Sequence, residues 1–237
     1  MKARLCLAVV GAAAVAVSMA FAQPAKEGGK PVQPAGRPAH PEQKQPGQPG
    51  DQHLPPGMTP EDMKAMADAA TPGKQHAWLG ECAGEWKGTS MMWMEPGTEP
   101  LKSEMTATMT SMMDGRFTRC EVKGDMPGMG QFNGFGIYGF DNVSQQFQAT
   151  WVDNMGTGMM TGTGELSADG KTMTWDYSFH CPIAKKMVKM REVETRTDSN
   201  TLKWEMHGQH PKTGKEFKMM EINMTRTGSA PKVNSSR

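Results

Sequence analysis

This chain has almost no excess of positive over negative charge. Its 237 residues carry 26 Lys and Arg against 25 Asp and Glu, a formal net charge of +1. That balance leaves no electrostatic footprint for nucleic acid or for an anionic membrane surface. Past Met19 no apolar run is long enough to span a bilayer as a helix, so the processed chain is expected to have no transmembrane segment. Motifs for chemistry are also missing. There is no Gly-x-Ser-x-Gly, and Ser167 and Ser229 look turn-like or terminal. Gly134-Phe135-Gly136 falls inside a strand pattern, with no helix after it to receive a phosphate. His180 and Cys181 are adjacent, and neighbours in a strand point to opposite faces. Asp141 and Asp153 flank one strand and read as hairpin residues, while Glu192 and Glu194 share a strand face that reads as solvated. The chain is therefore expected not to be an enzyme, and no cofactor is implied.

What is present begins with an address. Lys2 and Arg4 precede an apolar stretch from Leu5 to Met19, and Ala20-Phe21-Ala22 places small residues before Gln23. This is the layout of a cleaved secretory signal over residues 1–22, and it implies an exported protein, periplasmic or extracellular. Cleavage removes two basic residues, leaving 24 against 25 acids. Residues 23–57 hold nine Pro, six Gly and six Gln. With few bulky apolar side chains, such a segment cannot offset its chain entropy, and it reads as a disordered tether. Residues 229–237 read as a disordered tail.

Order is expected from residue 58. Thr59 is a good N-cap, Pro60 suits the first helical position, and Glu61 and Asp62 favour the positive helix start. Met63, Met66, Ala67 and Ala70 follow helical spacing, and Thr71-Pro72-Gly73 stops the helix. A helix this short needs a docking surface, and it is expected to plug or cap one end of the domain after it.

From Gly84 to Arg226 the pattern is one of short alternating segments. Strands are expected near 84–94, 101–112, 116–123, 131–140, 146–153, 158–166, 171–180, 186–197, 201–210 and 215–226. Turn residues separate them, as at Asp114-Gly115 and Asp169-Gly170. Met105, Ala107 and Met109 oppose Glu104, Thr106 and Thr108, and Met173, Trp175, Tyr177 and Phe179 oppose Thr174, Asp176 and Ser178. One apolar and one polar face per strand, with hairpin-length links, predicts an all-β, antiparallel, up-and-down barrel of about ten strands over residues 58–228, with a leading helix. A two-sheet sandwich is the rival.

Gly84-Glu85-Trp86 at the start of the first strand, after a helical lead-in, resembles the signature of the calycins: lipocalins, fatty-acid-binding proteins and related barrels. That resemblance implies a Trp plugging the closed end and a late Arg packed across it, the structural pair Trp86 and Arg226. Thr71-Pro72-Gly73 with His76, Trp93-Met94-Glu95-Pro96-Gly97, Met113 to Phe117, Gly134 to Asp141, Trp151-Val152-Asp153 and Phe217 to Arg226 form an ordered series. The series is similar to the bacterial exported family known as domain of unknown function 1579. It implies a calycin-like barrel and no assigned activity.

Alternation anchored on Trp86 nominates a ligand-binding wall of Met92, Met94, Met105, Met109, Trp151, Trp175, Tyr177, Phe179, Trp204 and Met206. The expected partner is a small apolar or amphipathic molecule, since apolar walls with few polar groups are the usual ligand-site pattern. Two alternatives stand beside it. The 24 Met residues include Met126, Met129, Met155 and Met159 in Gly-rich loops, and thioethers are soft ligands for Cu(I). A barrel filled by its own side chains would instead be an envelope interaction module. A haem site would need an inward His, whereas His180 and His207 fall on polar faces. Export favours a disulfide, with Cys82, Cys120 and Cys181 as candidates and Cys82 with Cys120 preferred. Oligomeric state is not readable.

Overall fold

The computed structural model describes residues 55–182, 184–210 and 213–229. The signal, tether and tail assignments lie outside these residues, apart from residues 55–57 and Ser229. Contacts divide the chain into two units, Val15–Ala65 and a larger one holding Met66 onward. In the smaller unit, the described residues are a turn and the first half of helix α1 (Pro60–Ala70). The N-cap is as the sequence predicts. Thr59 Oγ1 accepts the Asp62 N–H at 3.2 Å, and the Asp62 carboxylate accepts the Thr59 N–H at 2.9 Å.

The expected plug is not α1. None of its residues is buried, and Met66 is 57% exposed. The Met/Ala stripe is too weak to hold a face when a stronger one lies just beyond it. A second helix, α2 (Lys74–Gly80), stands behind the Pro72-Gly73 stop, and it buries His76, Trp78 and Leu79.

In the larger unit ten strands close into an antiparallel barrel in meander order: β1 (Gly84–Met92), β2 (Leu101–Met112), β3 (Phe117–Met126), β4 (Gly130–Asp141), β5 (Gln146–Asp153), β6 (Met160–Leu166), β7 (Thr172–Cys181), β8 (Lys186–Asp198), β9 (Thr201–Gln209) and β10 (Glu216–Gly228). β1 pairs with both β2 and β10, so no edge strand remains and the sandwich is excluded. The alternation predicts the pleat well. Met105, Ala107 and Met109 are buried, as are Met173, Trp175 and Tyr177.

One end of the barrel is closed by α2. The Trp78 Nε1–H donates to the Gly170 carbonyl at 2.8 Å, and its ring meets Phe147 edge-on. His76 meets Phe140 in the same way. The Arg196 guanidinium lies 3.2 Å over the Trp78 ring and donates to the Trp78 carbonyl. Beside it, Arg226 stacks over Trp86 at 4.3 Å and donates to the carbonyls of Ala83, Glu81 and Ser199. This is the barrel-closing pair that the calycin resemblance implies. Gly84 is glycine for a steric reason: a Cβ there would fall on the Arg226 guanidinium and 2.8 Å from the Gly228 carbonyl oxygen.

Candidate functional site

Inward residues compete for the barrel axis, and the aromatic ones win space where glycine faces them. A Cβ on Gly162 would sit 2.6 Å from the Tyr177 ring, and one on Gly164 would sit 2.7 Å from Trp175. The two bare positions on β6 let these rings lie flat against the wall. The half of the barrel next to α2 is filled. Trp175 packs against Tyr138, Phe147 and Tyr177, and Trp86, Leu202 and Met224 are all but inaccessible. The Trp175 Nε1–H is buried there without a hydrogen-bond partner among the described residues.

The other half is hollow. A cavity of about 250 Å³ runs from Tyr138, Tyr177 and Glu192 toward the end of the barrel away from α2. Its walls are Met105, Val122, Met190, Trp204, Met206, Met220 and Ile222, and its mouth is formed by Met126, Phe132, Trp151, Met155, Met159, Met160 and Phe179. The β5–β6 loop forms one lip and is pinned at its root. The Asp153 carboxylate accepts the Trp151 Nε1–H at 3.0 Å and the Met155 N–H at 2.9 Å. The Asn154 side chain bonds β4 through the Gln131 carbonyl and the Asn133 N–H. Phe132 and Trp151 stack nearly parallel at the mouth.

Six of the ten nominated wall residues line this cavity: Met105, Trp151, Tyr177, Phe179, Trp204 and Met206. Four do not. Met109 and Trp175 sit lower and line a small void of about 30 Å³ near α2. Met92 is buried outside the cavity wall, and Met94 is 38% exposed beyond the end of β1. Alternation gives the face of a strand but not the height along the axis, and height separates these four from the rest. Of the alternative metal set, Met126, Met155 and Met159 gather at the mouth, while Met129 packs against the core from the side. Among the described residues no group of three or more His, Cys, Asp or Glu side chains is placed to hold a metal. His180 touches the mouth from an exposed position.

The expected disulfide is not formed. Cys82 and Cys120 are separate buried thiols, not a bridge. Cys82 precedes β1, where its thiol donates to Glu194 Oε1 at 3.8 Å, and Cys120 points inward from the middle of β3. Burial pushes both thiols upward, so neither is activated. Cys181 is buried at the far end of β7, where its sulfur accepts the Ala184 N–H.

The acidic pair of β8 departs further from expectation. Glu192 and Glu194 do not face solvent; both point into the barrel and are buried. The signal lies in the strand pairing. The short β7–β8 hairpin sets Glu192 opposite Trp175, and the β8–β9 register sets Glu194 opposite Trp204. Directly paired residues of antiparallel strands share a face, so the carboxylates go inward with the tryptophans. Glu194 is answered by Arg196 at 2.8 Å. Glu192 has no ion-pair partner among the described residues. Burial, with Glu194 second, pushes its carboxyl up to about 8. The hydroxyls of Tyr138 and Tyr177 interact beside it, and burial raises both. The arrangement offers apolar walls, aromatic faces and a few polar groups at mid-barrel.

A family model described as protein of unknown function (DUF1579) matches residues 71–226. The chain belongs to this family. The matched span runs from the stop before α2 to Arg226 and so covers α2 and nearly the whole barrel. No curated protein matches the sequence. The DUF1579 barrel is similar to the crystal structure of Rv2717c from M. tuberculosis, at 12% identity and TM-score 0.50, over 66% of this chain and 99% of that one. That likeness concerns the fold alone. A more distant likeness, to the structure of EF1p2_mFAP2b bound to DFHBI, has 12% identity and TM-score 0.35 over 64% and 97% of the two chains, too distant to inform fold or function.

Proposed function

We propose that this DUF1579 protein is an exported, non-catalytic barrel that binds a small apolar or amphipathic molecule in its interior. The cavity of about 250 Å³ carries the reading, because it is continuous with the barrel mouth and lined by thioethers and aromatic rings. Its volume lies just below the usual range of roughly 300–1,000 Å³ for ligand sites, which favours a compact ligand. Methionine suits such a wall because its flexible, polarisable side chain adapts to different shapes. Non-catalytic binding agrees with the Glu192 carboxyl and the Cys82 and Cys120 thiols, in which burial favours the protonated form.

The test is a titration with a compact fluorescent apolar probe, run on the wild type and on Val122→Trp. Val122 lies on the cavity wall, and an indole there fills the space. Saturable binding by the wild type and at least tenfold weaker binding by the variant, with a native circular dichroism spectrum, are the expected results. A wild-type barrel that takes up no probe would sink the proposal. Export is tested separately by cell fractionation, with the processed chain expected outside the cytoplasm.

The Met-rich mouth supports a second reading as a Cu(I) site, since Met126, Met155 and Met159 converge there. A Cu(I) competition titration in which replacing these three leaves affinity unchanged removes it.

A further inference from the structure

The charged groups that border the cavity are unbalanced. Glu192, Asp153 and, at the exposed mouth, His180 line it, and among the described residues no Lys or Arg does so. The inward cation closest to Glu192 along β8, Arg196, is already committed: to the Glu194 carboxylate, to the Trp78 carbonyl and to the Trp78 ring. The groups facing Glu192 from other strands are the hydroxyls of Tyr138 on β4 and Tyr177 on β7 and the thiol of Cys120 on β3. None of these carries a positive charge. The inward side chains from β9 and β10 at this level are Trp204, Met206, Met220 and Ile222. Glu192 is thus a buried carboxyl at the inner end of an accessible cavity, without a counter-charge among the described residues.

The rings around it complete the pattern. Tyr138, Tyr177, Trp204, Phe179, Trp151 and Phe132 turn toward the same space. Aromatic faces carry negative electrostatic potential and attract organic cations, most strongly where water is excluded. The negative ring faces disfavour anions, and the carboxyl, once it gives up its proton, can meet an ammonium with a charge-assisted hydrogen bond.

Resting on the proposal that the cavity is a ligand site, we infer that it selects amines: compact ligands with an apolar or aromatic body and a protonated nitrogen held by Glu192. Apolar contact with the methionine walls supplies affinity for the body, and the carboxylate supplies the choice of head. Because burial favours the protonated carboxyl, seating a cation at neutral pH drives its proton off.

Three probes of one shape separate the possibilities: naphthylmethylamine, naphthylmethanol and naphthoate, titrated by calorimetry at pH 7 into the full chain. The amine is expected to bind about tenfold or more tighter than the alcohol, with the acid weakest. Repeating the amine titration in buffers of different ionisation enthalpy should reveal release of about one proton on binding. Glu192→Gln should bring the amine-to-alcohol ratio close to one, whereas Glu165→Gln, an exposed acid on β6, should leave it unchanged. Alcohol or acid binding as tightly as the amine to the wild type overturns the inference while leaving the carrier reading intact. Failure of all three probes to bind removes both. The wild-type comparison decides the question even if Glu192→Gln does not fold.

Discussion

Glu192 is an acid where an apolar side chain would pack more easily, and its effect on stability depends on pH. Its carboxyl sits near 4.5 when exposed and is pushed up to about 8 in the folded barrel, by burial first and by Glu194 second. Between those values the unfolded chain releases a proton that the folded chain keeps. The contribution of Glu192 to stability is therefore fullest below about pH 4.5, falls as pH rises toward 8, and levels off above it. Glu194, Tyr138, Tyr177 and Cys120 lie close enough to feel its charge, and Arg196 pairs with Glu194. Glu192→Gln should remove this slope and raise the urea midpoint at pH 8 but not at pH 4. A wild-type stability flat across this window would contradict the burial argument. Arg226 works in the opposite sense, since it satisfies three carbonyls and covers Trp86. Arg226→Met retains some packing and loses those bonds, at an expected cost of about 2–4 kcal/mol in chemical denaturation.

At the scale of elements, the two helices have unequal duties. α2 closes the barrel through Trp78, whose ring is gripped by Phe147, Arg196 and the Gly170 carbonyl. Trp78→Ala should cost roughly 3–5 kcal/mol, as large aromatic deletions from a core do, and should expose the filled end to hydrophobic dyes. α1 buries nothing. A chain starting at Met66 keeps the segment that Asn142 anchors through the carbonyls of Asp68, Ala69 and Thr71. Its thermal midpoint should match that of the longer chain, with any difference inside about 0.5 kcal/mol. β6 is specified by its glycines. Gly162→Val would drive two methyl groups into the Tyr177 ring, an overpacking cost of roughly 1–3 kcal/mol readable in the same assay.

At the scale of the whole molecule, closure and hollowness have separate causes. Closure comes from pairing β1 with β10, which leaves no strand edge to aggregate. Hollowness comes from how side-chain volume is distributed along the axis. Trp86, Trp175, Leu202 and Met224 fill the end next to α2, whereas glycine, valine and flexible methionines surround the other. Filling that space should stabilise the barrel or leave it unchanged while abolishing uptake. Val122→Trp is therefore expected to keep or raise the thermal midpoint, and a large fall would mean that the cavity is less open than its walls indicate.

The barrel is legible in the sequence because its causes are local. Alternation sets the faces, links such as Asp114-Gly115 and Asp169-Gly170 set hairpins, and Gly84, Trp86 and Arg226 stand where a closed end needs them. The strand ranges read from the chain differ from the observed ones by a few residues at most. α2 is not legible, because seven residues behind a Pro-Gly stop carry too little periodicity to stand out, and their helix exists chiefly to seat Trp78. The cavity floor escapes for another reason. In β8 both faces mix apolar and charged residues, so the pattern alone does not orient Glu192; only pairing with β7 and β9 turns it inward. What the chain alone determined was the fold and the apolar character of its interior, since both rest on contacts within and between neighbouring strands. Where the interior stays open, and which acid faces it, depends on the height of each side chain along a closed cylinder, a quantity that exists only once all ten strands are in register.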